Sequence, residues 1–118
     1  MISLKEVIEK VKVKPLSSIH SVDRQVTGGY ASDLLSCVLK GAKKDTVWVT
    51  LQSHLNVVAV ASLLGLSGVI ITEGNLPDQE TLTKAENEGV VLLATPKTTF
   101  TVVGELTSLG IKGEVINP

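Results

Sequence analysis

The sequence predicts a single α/β domain with a mainly parallel β-sheet and helices on both faces. Three apolar, β-branched segments with the character of strands begin at Val47, Val69 and Val90, at nearly equal intervals. A helical segment fills each gap between them, which is the alternation typical of βαβ units in a parallel sheet. The last two strands are apolar without interruption, and this indicates burial on both faces, as parallel sheets require.

Length and composition indicate one aliphatic core and exclude several classes of function. The chain has 118 residues, of which 43% are hydrophobic and 19% charged, so we expect one domain over residues 1–118 and no disorder. A net charge of -1 provides no basic surface for nucleic acid. Aromatic residues make up only 3% of the chain, which argues against base-stacking platforms. We therefore predict no nucleic-acid partner.

The sequence also predicts a cytoplasmic protein without membrane association. A single cysteine, Cys37, permits no internal disulfide and no thiolate zinc site, which fits a reducing compartment. The first residues lack a basic stretch followed by an apolar run, so no signal peptide is predicted. No apolar segment reaches the roughly 18 residues that a membrane span needs.

The N-terminal segment predicts a helix followed by a short strand. Ser3 and Glu6 fit a capping box, which opens a helix through about Lys10. Alternating residues 11–14 then predict a strand, and Pro15 is expected to stop it.

Next, a double glycine predicts a loop that leads into a second helix. Gly28 and Gly29 admit positive φ and a close approach of another group to the main chain, as in anion-binding loops. A tight turn with no ligand is the alternative. Ser32 is the expected N-cap of the helix, Asp33 would offset the dipole in its first turn, and Gly41 is the expected C-cap.

The segments between and after the three strands predict helices of different character. Residues 55–64 are apolar nearly all round, and a small domain offers little to cover them, so we expect a homodimer or a lost fusion partner. Residues 77–87 are amphipathic, with Gly89 ending a solvent-facing helix. A last helix is predicted over residues 100–108, followed by an edge strand at residues 115–116.

Polar residues follow the predicted strands, where ligands bind in open parallel sheets. Arg24 and the backbone amides of the double glycine are expected to hold a small anion. The segment from Gln52 to Asn56 carries more hydrogen-bonding groups than helix capping needs, and it is expected to form the other wall of the pocket. The predicted binding residues are Asp23, Arg24, Thr27, Gly28, Gly29, Ser32, Gln52, His54, Asn56, Thr72, Glu73 and Thr98.

Catalysis has little support in the sequence. The chain has no Gly-x-x-x-x-Gly-Lys-Ser/Thr loop, no Gly-x-Ser-x-Gly turn and no His/Cys cluster with metal spacing. We therefore predict a protein that is not an enzyme and has no cofactor and no metal site. The alternatives are a structural or assembly protein that acts through homodimerisation or a protein partner, and a small hydrolase or isomerase.

Several separated motifs resemble the DRTGG domain family. The matching segments are Asp23-Arg24, Thr27-Gly28-Gly29, residues 29–36, residues 48–52 with His54-Leu55-Asn56, and residues 98–100. Gln25 and Val26 interrupt the residues that give the family its name. The resemblance covers almost the whole chain, and it implies the α/β fold of the N-terminal, non-catalytic domain of HPr kinase/phosphorylase.

The same resemblance implies a regulatory function. Family members are fused to phosphotransacetylase or lie beside CBS domains in regulatory pyrophosphatases, where adenine nucleotides act as effectors. The resemblance thus implies a non-enzymatic, ligand-sensing module for a small anionic metabolite, with an adenine nucleotide as one candidate. It implies no kinase activity, because the chain lacks the P-loop of the catalytic kinase domain.

Overall fold

A five-stranded sheet lies between two helical layers in the computed structural model, which describes residues 2–116. A small two-stranded sheet, β1 with β3, joins the N-terminus to the rest. A single 3₁₀ turn covers Ile19–Ser21. The elements in chain order are β1 (Ile2–Ser3), α1 (Leu4–Val11), β2 (Lys14–Pro15), β3 (Gln25–Val26), β4 (Gly28–Ala31), α2 (Leu35–Gly41), β5 (Thr46–Thr50), α3 (Leu55–Leu64), β6 (Gly68–Ile71), α4 (Gln79–Glu88), β7 (Leu92–Ala94) and α5 (Thr99–Ser108).

The topology of the main sheet confirms the predicted α/β class. Its strand order is β2-β7-β6-β5-β4, with β4 to β7 parallel and β2 antiparallel at one edge. Because parallel crossovers are right-handed, strands that follow one another across a sheet place their connecting helices on one face. Helices α2, α3 and α4 accordingly share one face, while α1 and α5 cover the other.

The hydrophobic core is divided into two clusters by the sheet. Every residue of β5, β6 and β7 is buried, and alternate side chains point to opposite faces. Val49, Ile70 and Leu93 pack with α1 and α5. Trp48 and Val69 pack with the other three helices. The uninterrupted apolar strands are therefore explained by helices on both faces, as predicted.

Helix α3 is covered mainly within the domain. It lies between α2 and α4 and over the sheet, and Val57, Val58, Val60 and Ala61 are buried. The large apolar side chain of Leu63 points to solvent, with 77% of its surface exposed. The expectation that a small domain cannot cover this helix is wrong for these four residues, because two neighbouring helices and the sheet cover them. The homodimer itself stays a prediction.

The N-terminal helix is confirmed, whereas the strand predicted after it is displaced. The Ser3 Oγ accepts a hydrogen bond from the Glu6 N–H at 3.1 Å, and the Glu6 carboxylate accepts one from the Ser3 N–H. The helix continues to Val11 and ends at Lys12, a left-handed C-cap with φ 59°. The strand is Lys14–Pro15, which includes the proline expected to stop it. Proline is tolerated there because β2 is an edge strand.

The edge strand predicted at residues 115–116 is wrong. Val115 and Ile116 are exposed and form no strand. The C-terminal segment meets the sheet earlier, where the Gly29 N–H donates a hydrogen bond to the Lys112 carbonyl at 3.0 Å. Ile111 is buried beside this contact. Among residues 2–116, no helix is long and apolar enough to cross a membrane.

The two-sided core gives a direct test with a matched control. Leu93 is fully buried in the middle of the sheet, so Leu93→Ala should lower the free energy of unfolding by about 2–5 kcal/mol. Leu63→Ala, on the exposed side of α3, should change it by less than about 0.5 kcal/mol. Urea unfolding followed by circular dichroism measures both. Equal losses in the two variants would contradict the assigned burial.

Candidate functional site

The structure divides the predicted binding residues between two opposite edges of the sheet. Because β4 to β7 are parallel, their amino ends share one edge and their carboxyl ends the other. Asp23, Arg24 and Thr27 precede β4, and Gly28–Gly29 begin it, so these five belong to the amino half. The carboxyl edge brings together Ser32, Gln52, His54, Asn56, Thr72, Glu73 and Thr98. The expected pocket between the double glycine and Gln52–Asn56 is therefore not formed.

Arg24 binds the domain's own backbone at the amino edge. Its Nη1 donates a hydrogen bond to the Ser67 carbonyl at 3.4 Å, and its Nη2 to the Gly89 carbonyl at 3.2 Å. These two carbonyls precede β6 and β7. The Thr27 hydroxyl similarly contacts the carbonyls that precede β5. Both side chains thus hold neighbouring loops together.

The double glycine is part of a strand and not a loop. Gly28 and Gly29 lie in β4, and neither has a positive φ. A Cβ at position 28 would lie 3.1 Å from the Lys112 carbonyl oxygen, and one at position 29 would lie 3.2 Å from Cγ2 of Ile111. The glycines therefore permit the C-terminal segment to approach β4. No helix begins directly after Gly29, and its N–H already donates to the Lys112 carbonyl.

At the carboxyl edge, Asp33 joins the ends of β4 and β5. Its Oδ1 accepts hydrogen bonds from the Thr50 hydroxyl at 2.9 Å and from the Leu51 N–H at 2.8 Å. Asp33 therefore does not serve the first turn of α2, which begins later, at Leu35. Ser32 is likewise not the N-cap of that helix, although its Oγ accepts a hydrogen bond from the Leu34 N–H at 3.2 Å. The predicted C-cap, Gly41, is instead the last helical residue.

The N-terminus of α3 exposes polar side chains at this edge. His54 is the N-cap of this helix, and its Nδ1 accepts a hydrogen bond from the Asn56 N–H at 3.1 Å. This contact uses one ring nitrogen and leaves Nε2 on the exposed side of the imidazole. The Asn56 side chain is exposed as well. Gln52 lies next to them and donates to the Asp33 carbonyl at 3.1 Å.

The loop after β6 contacts the N-terminus of α5. The Thr72 and Thr99 hydroxyls are 2.7 Å apart. Glu73 has the left-handed φ of 64°, and its Oε2 accepts a hydrogen bond from the Thr99 N–H at 2.8 Å. Thr98 caps the same helix by accepting from the Thr101 N–H. Side chains of the domain therefore already occupy two of the amides that could bind an anion here.

Lys97 follows β7 at this edge, and its side chain binds groups of the domain itself. Its Nζ forms an ion pair with Glu105 at 2.9 Å and donates a hydrogen bond to the Val11 carbonyl at 2.8 Å. Within residues 2–116, no group of three or more His, Cys, Asp or Glu side chains is placed to hold a metal ion.

Asp78 is a residue of this edge that sequence reasoning missed. It is the N-cap of α4, and its Oδ1 accepts a hydrogen bond from the Thr81 N–H at 2.9 Å. This hydrogen bond lowers the pKa of the Asp78 carboxyl below the ordinary value of 3.8, and nearby His54 lowers it further. The signal was present, because an aspartate three residues before a threonine at the start of an amphipathic helix is typical of an N-cap.

Sequence reasoning also missed a cavity of about 190 Å³ beside β4. Its apolar wall comes from strand β5, helix α5 and the segment that follows it. No sequence signal marked these residues, because apolar side chains at helical and strand spacing are ordinarily core residues. The lining consists of Gly29, Tyr30, Ala31, Val49, Val103, Leu106, Thr107, Ile111, Lys112 and Gly113.

Comparison with known proteins identifies the family. Residues 19–109 match the model of the DRTGG domain, which is more than half of the chain. The chain belongs to the DRTGG domain family. Among curated proteins, none is significantly similar to this DRTGG domain in sequence.

A solved structure shares the fold of this DRTGG domain. It contains the CBS and DRTGG domains of the regulatory region of Clostridium perfringens pyrophosphatase, complexed with the activator diadenosine tetraphosphate. The TM-score is 0.67 at 14% sequence identity, with 88% of this chain and 45% of that chain covered. The likeness shows the fold, and this chain spans less than half of the pyrophosphatase chain.

The position of Arg24 in this DRTGG domain predicts a role in stability. Arg24→Met keeps most of the aliphatic stem but removes both hydrogen bonds to backbone carbonyls, so it should lower the free energy of unfolding by about 1–3 kcal/mol. Lys10→Met, at an exposed position, is the control. Urea unfolding measures both variants. An unchanged stability of Arg24→Met would contradict the structural role.

The lowered pKa of Asp78 predicts a pH-dependent contribution to stability. The ionised carboxylate is the favoured form in the folded state, so its contribution is present above pH 3.8 and is lost as the pH falls through the lower folded value. Asp78→Ala should therefore lower Tm at pH 7, and the difference from the parent should shrink below pH 3.8. Asp78→Asn can still cap the helix, so its decrease in Tm at pH 7 should be smaller than that of Asp78→Ala. A difference in Tm that grows on acidification would contradict this assignment.

Proposed function

We propose that this DRTGG domain is a cytoplasmic, non-enzymatic regulatory module that binds an adenine nucleotide at the carboxyl edge of its sheet. Family membership and the fold shared with the regulatory region of a pyrophosphatase support this proposal. The pyrophosphatase structure holds a nucleotide activator, diadenosine tetraphosphate. The observation on this chain that carries the proposal is the grouping of Ser32, Gln52, His54, Asn56, Thr72, Glu73 and Thr98 at one edge.

The N-terminus of α3 is the part of this edge best suited to a phosphate. The ten-residue helix directs the positive end of its dipole there. His54 and Asn56 add exposed hydrogen-bonding groups at the same point. The nearby carboxylates of Asp33 and Glu73 are each held by a backbone amide, which reduces their repulsion of an anion.

Glu73 offers a route by which binding could be passed to a partner. Its carboxylate occupies the Thr99 N–H, and the residue is held in a left-handed conformation that costs a non-glycine residue free energy. A phosphate that approaches α5 competes for the same amide. Displacement of the Glu73 carboxylate would break its contact with α5 and so change the exposed surface that a partner contacts, while the backbone hydrogen bonds of Glu73 and Gly74 keep the loop after β6 in place.

The second candidate function is assembly through homodimerisation or a protein partner, without a ligand. Two exposed large apolar side chains are the observation that favours it, because aromatic and aliphatic groups form the buried centre of protein interfaces. Phe100 is 90% exposed on the first turn of α5, and Leu34, before α2, is 61% exposed. Sedimentation that shows a single monomeric species at micromolar concentration would remove homodimerisation from consideration.

Calorimetric titration with AMP, ATP and diadenosine tetraphosphate tests the proposed function. At least one of these nucleotides should bind. The double variant His54→Ala/Asn56→Ala should bind it at least about tenfold more weakly, because each substitution removes a polar contact. His20→Ala, an exposed histidine in the 3₁₀ turn, is the control and should leave affinity unchanged. No binding of any of the three nucleotides, or equal affinity in the double variant, would show that the carboxyl edge is not a nucleotide site.

A further inference from the structure

The cavity beside β4 has the size of a single ring system. Sites that enclose a whole drug-sized ligand measure roughly 300–1,000 Å³. The cavity here measures about 190 Å³ and is walled by the aliphatic side chains of Val49, Val103 and Leu106. Such walls suit a flat apolar face, since bases removed from a stack are held between apolar side chains.

The edge of β4 that borders this cavity is only partly covered by the C-terminal segment, which lies beside Gly29. The Ser32 N–H donates to the Val49 carbonyl at 3.2 Å, whereas the Gly29 N–H donates away from β5, to the Lys112 carbonyl. Backbone groups alternate in direction along a strand, so the Gly29 C=O and the Ala31 N–H point away from the sheet. Neither group makes a backbone hydrogen bond outside the sheet ladder within residues 2–116.

These two groups place an acceptor beside a donor. In an extended strand the C=O of one residue and the N–H of the second residue after it lie side by side on the same edge. Adenine presents the complementary pair, an exocyclic amino donor next to a ring-nitrogen acceptor. Hypoxanthine, with a carbonyl in place of the amino group, does not present that pair.

We propose that the cavity and the adjoining edge of β4 bind the adenine ring, with the amino group donating to the Gly29 carbonyl and the Ala31 N–H donating to a ring nitrogen. The ligand class rests on the proposed function, whereas the cavity and the strand edge are independent of the residues assigned there. Because Ala31 ends β4, the ring lies next to the carboxyl edge, which takes the phosphates.

The C-terminal segment limits what a second strand could bind on this edge. An edge strand is a template for pairing with another chain. The C-terminal segment already takes the Gly29 N–H, which leaves one adjacent acceptor–donor pair on β4. An adenine ring can form hydrogen bonds with both groups of that pair.

Calorimetric titration with adenosine and inosine tests the proposal, because these nucleosides carry no phosphate. Adenosine should bind at least about tenfold more tightly than inosine. Ala31→Pro removes the N–H at an outward-facing edge position, where proline is tolerated. This variant should bind adenosine at least about tenfold more weakly. Ala31→Val keeps the N–H and is the control. Val103→Trp, which fills the cavity, should abolish binding, and Val103→Ala should not.

The outcomes separate this site from the carboxyl edge. His54→Ala should reduce the advantage of AMP over adenosine, whereas the control His20→Ala should leave both affinities unchanged. If His54→Ala weakens AMP but Ala31→Pro and Val103→Trp do not, the cavity site is wrong and the carboxyl-edge site stands. Equal binding of adenosine and inosine, or no binding of adenosine, also overturns the proposal. A dimer that Ala31→Pro dissociates would assign the edge to a second copy of the chain and overturn it too.

Discussion

Burial of β5, β6 and β7 on both faces is the constraint on which the rest of the structure depends. Every residue of these strands is buried, so helices must cover both sides of the sheet. Right-handed crossovers between neighbouring parallel strands then commit α2, α3 and α4 to one face. The other face is left to α1 and α5, which come from the two ends of the chain. The cavity beside β4 exists because α5 and the segment after it cover the sheet incompletely at its edge.

In the same arrangement, the polar side chains at the two edges of the sheet make different contacts. At the amino edge, Arg24 and Thr27 bind backbone carbonyls of the loops before β5, β6 and β7, and the double glycine admits the C-terminal segment. Arg24, Thr27, Gly28 and Gly29, four of the residues that name the DRTGG family, thus hold the fold together in this chain. The carboxyl edge keeps exposed groups, above all His54 and Asn56, and it is the edge where α/β sheets usually bind ligands.

Sequence reasoning succeeded where a periodic pattern covered a whole element and failed where a long-range contact decided the outcome. The strands β5 to β7 and their helices followed from apolar periodicity and caps. The double glycine was misinterpreted, because its purpose depends on Ile111 and Lys112, far along the chain. Arg24 was expected to bind an anion, since no local signal reveals partners such as Ser67 and Gly89. The cavity was missed for the same reason.

Arg24, Thr27, Gly28 and Gly29 hold the fold together, and we propose that a nucleotide binds elsewhere. Backbone amide chemical shifts, recorded during a titration with ATP, test this proposal most directly because they report on every edge at once. The largest changes should fall on residues 29–33 and 52–56, with small changes at residues 23–27. Changes that are largest at Asp23, Arg24 and Thr27, with none around His54 or Ala31, would contradict the proposal.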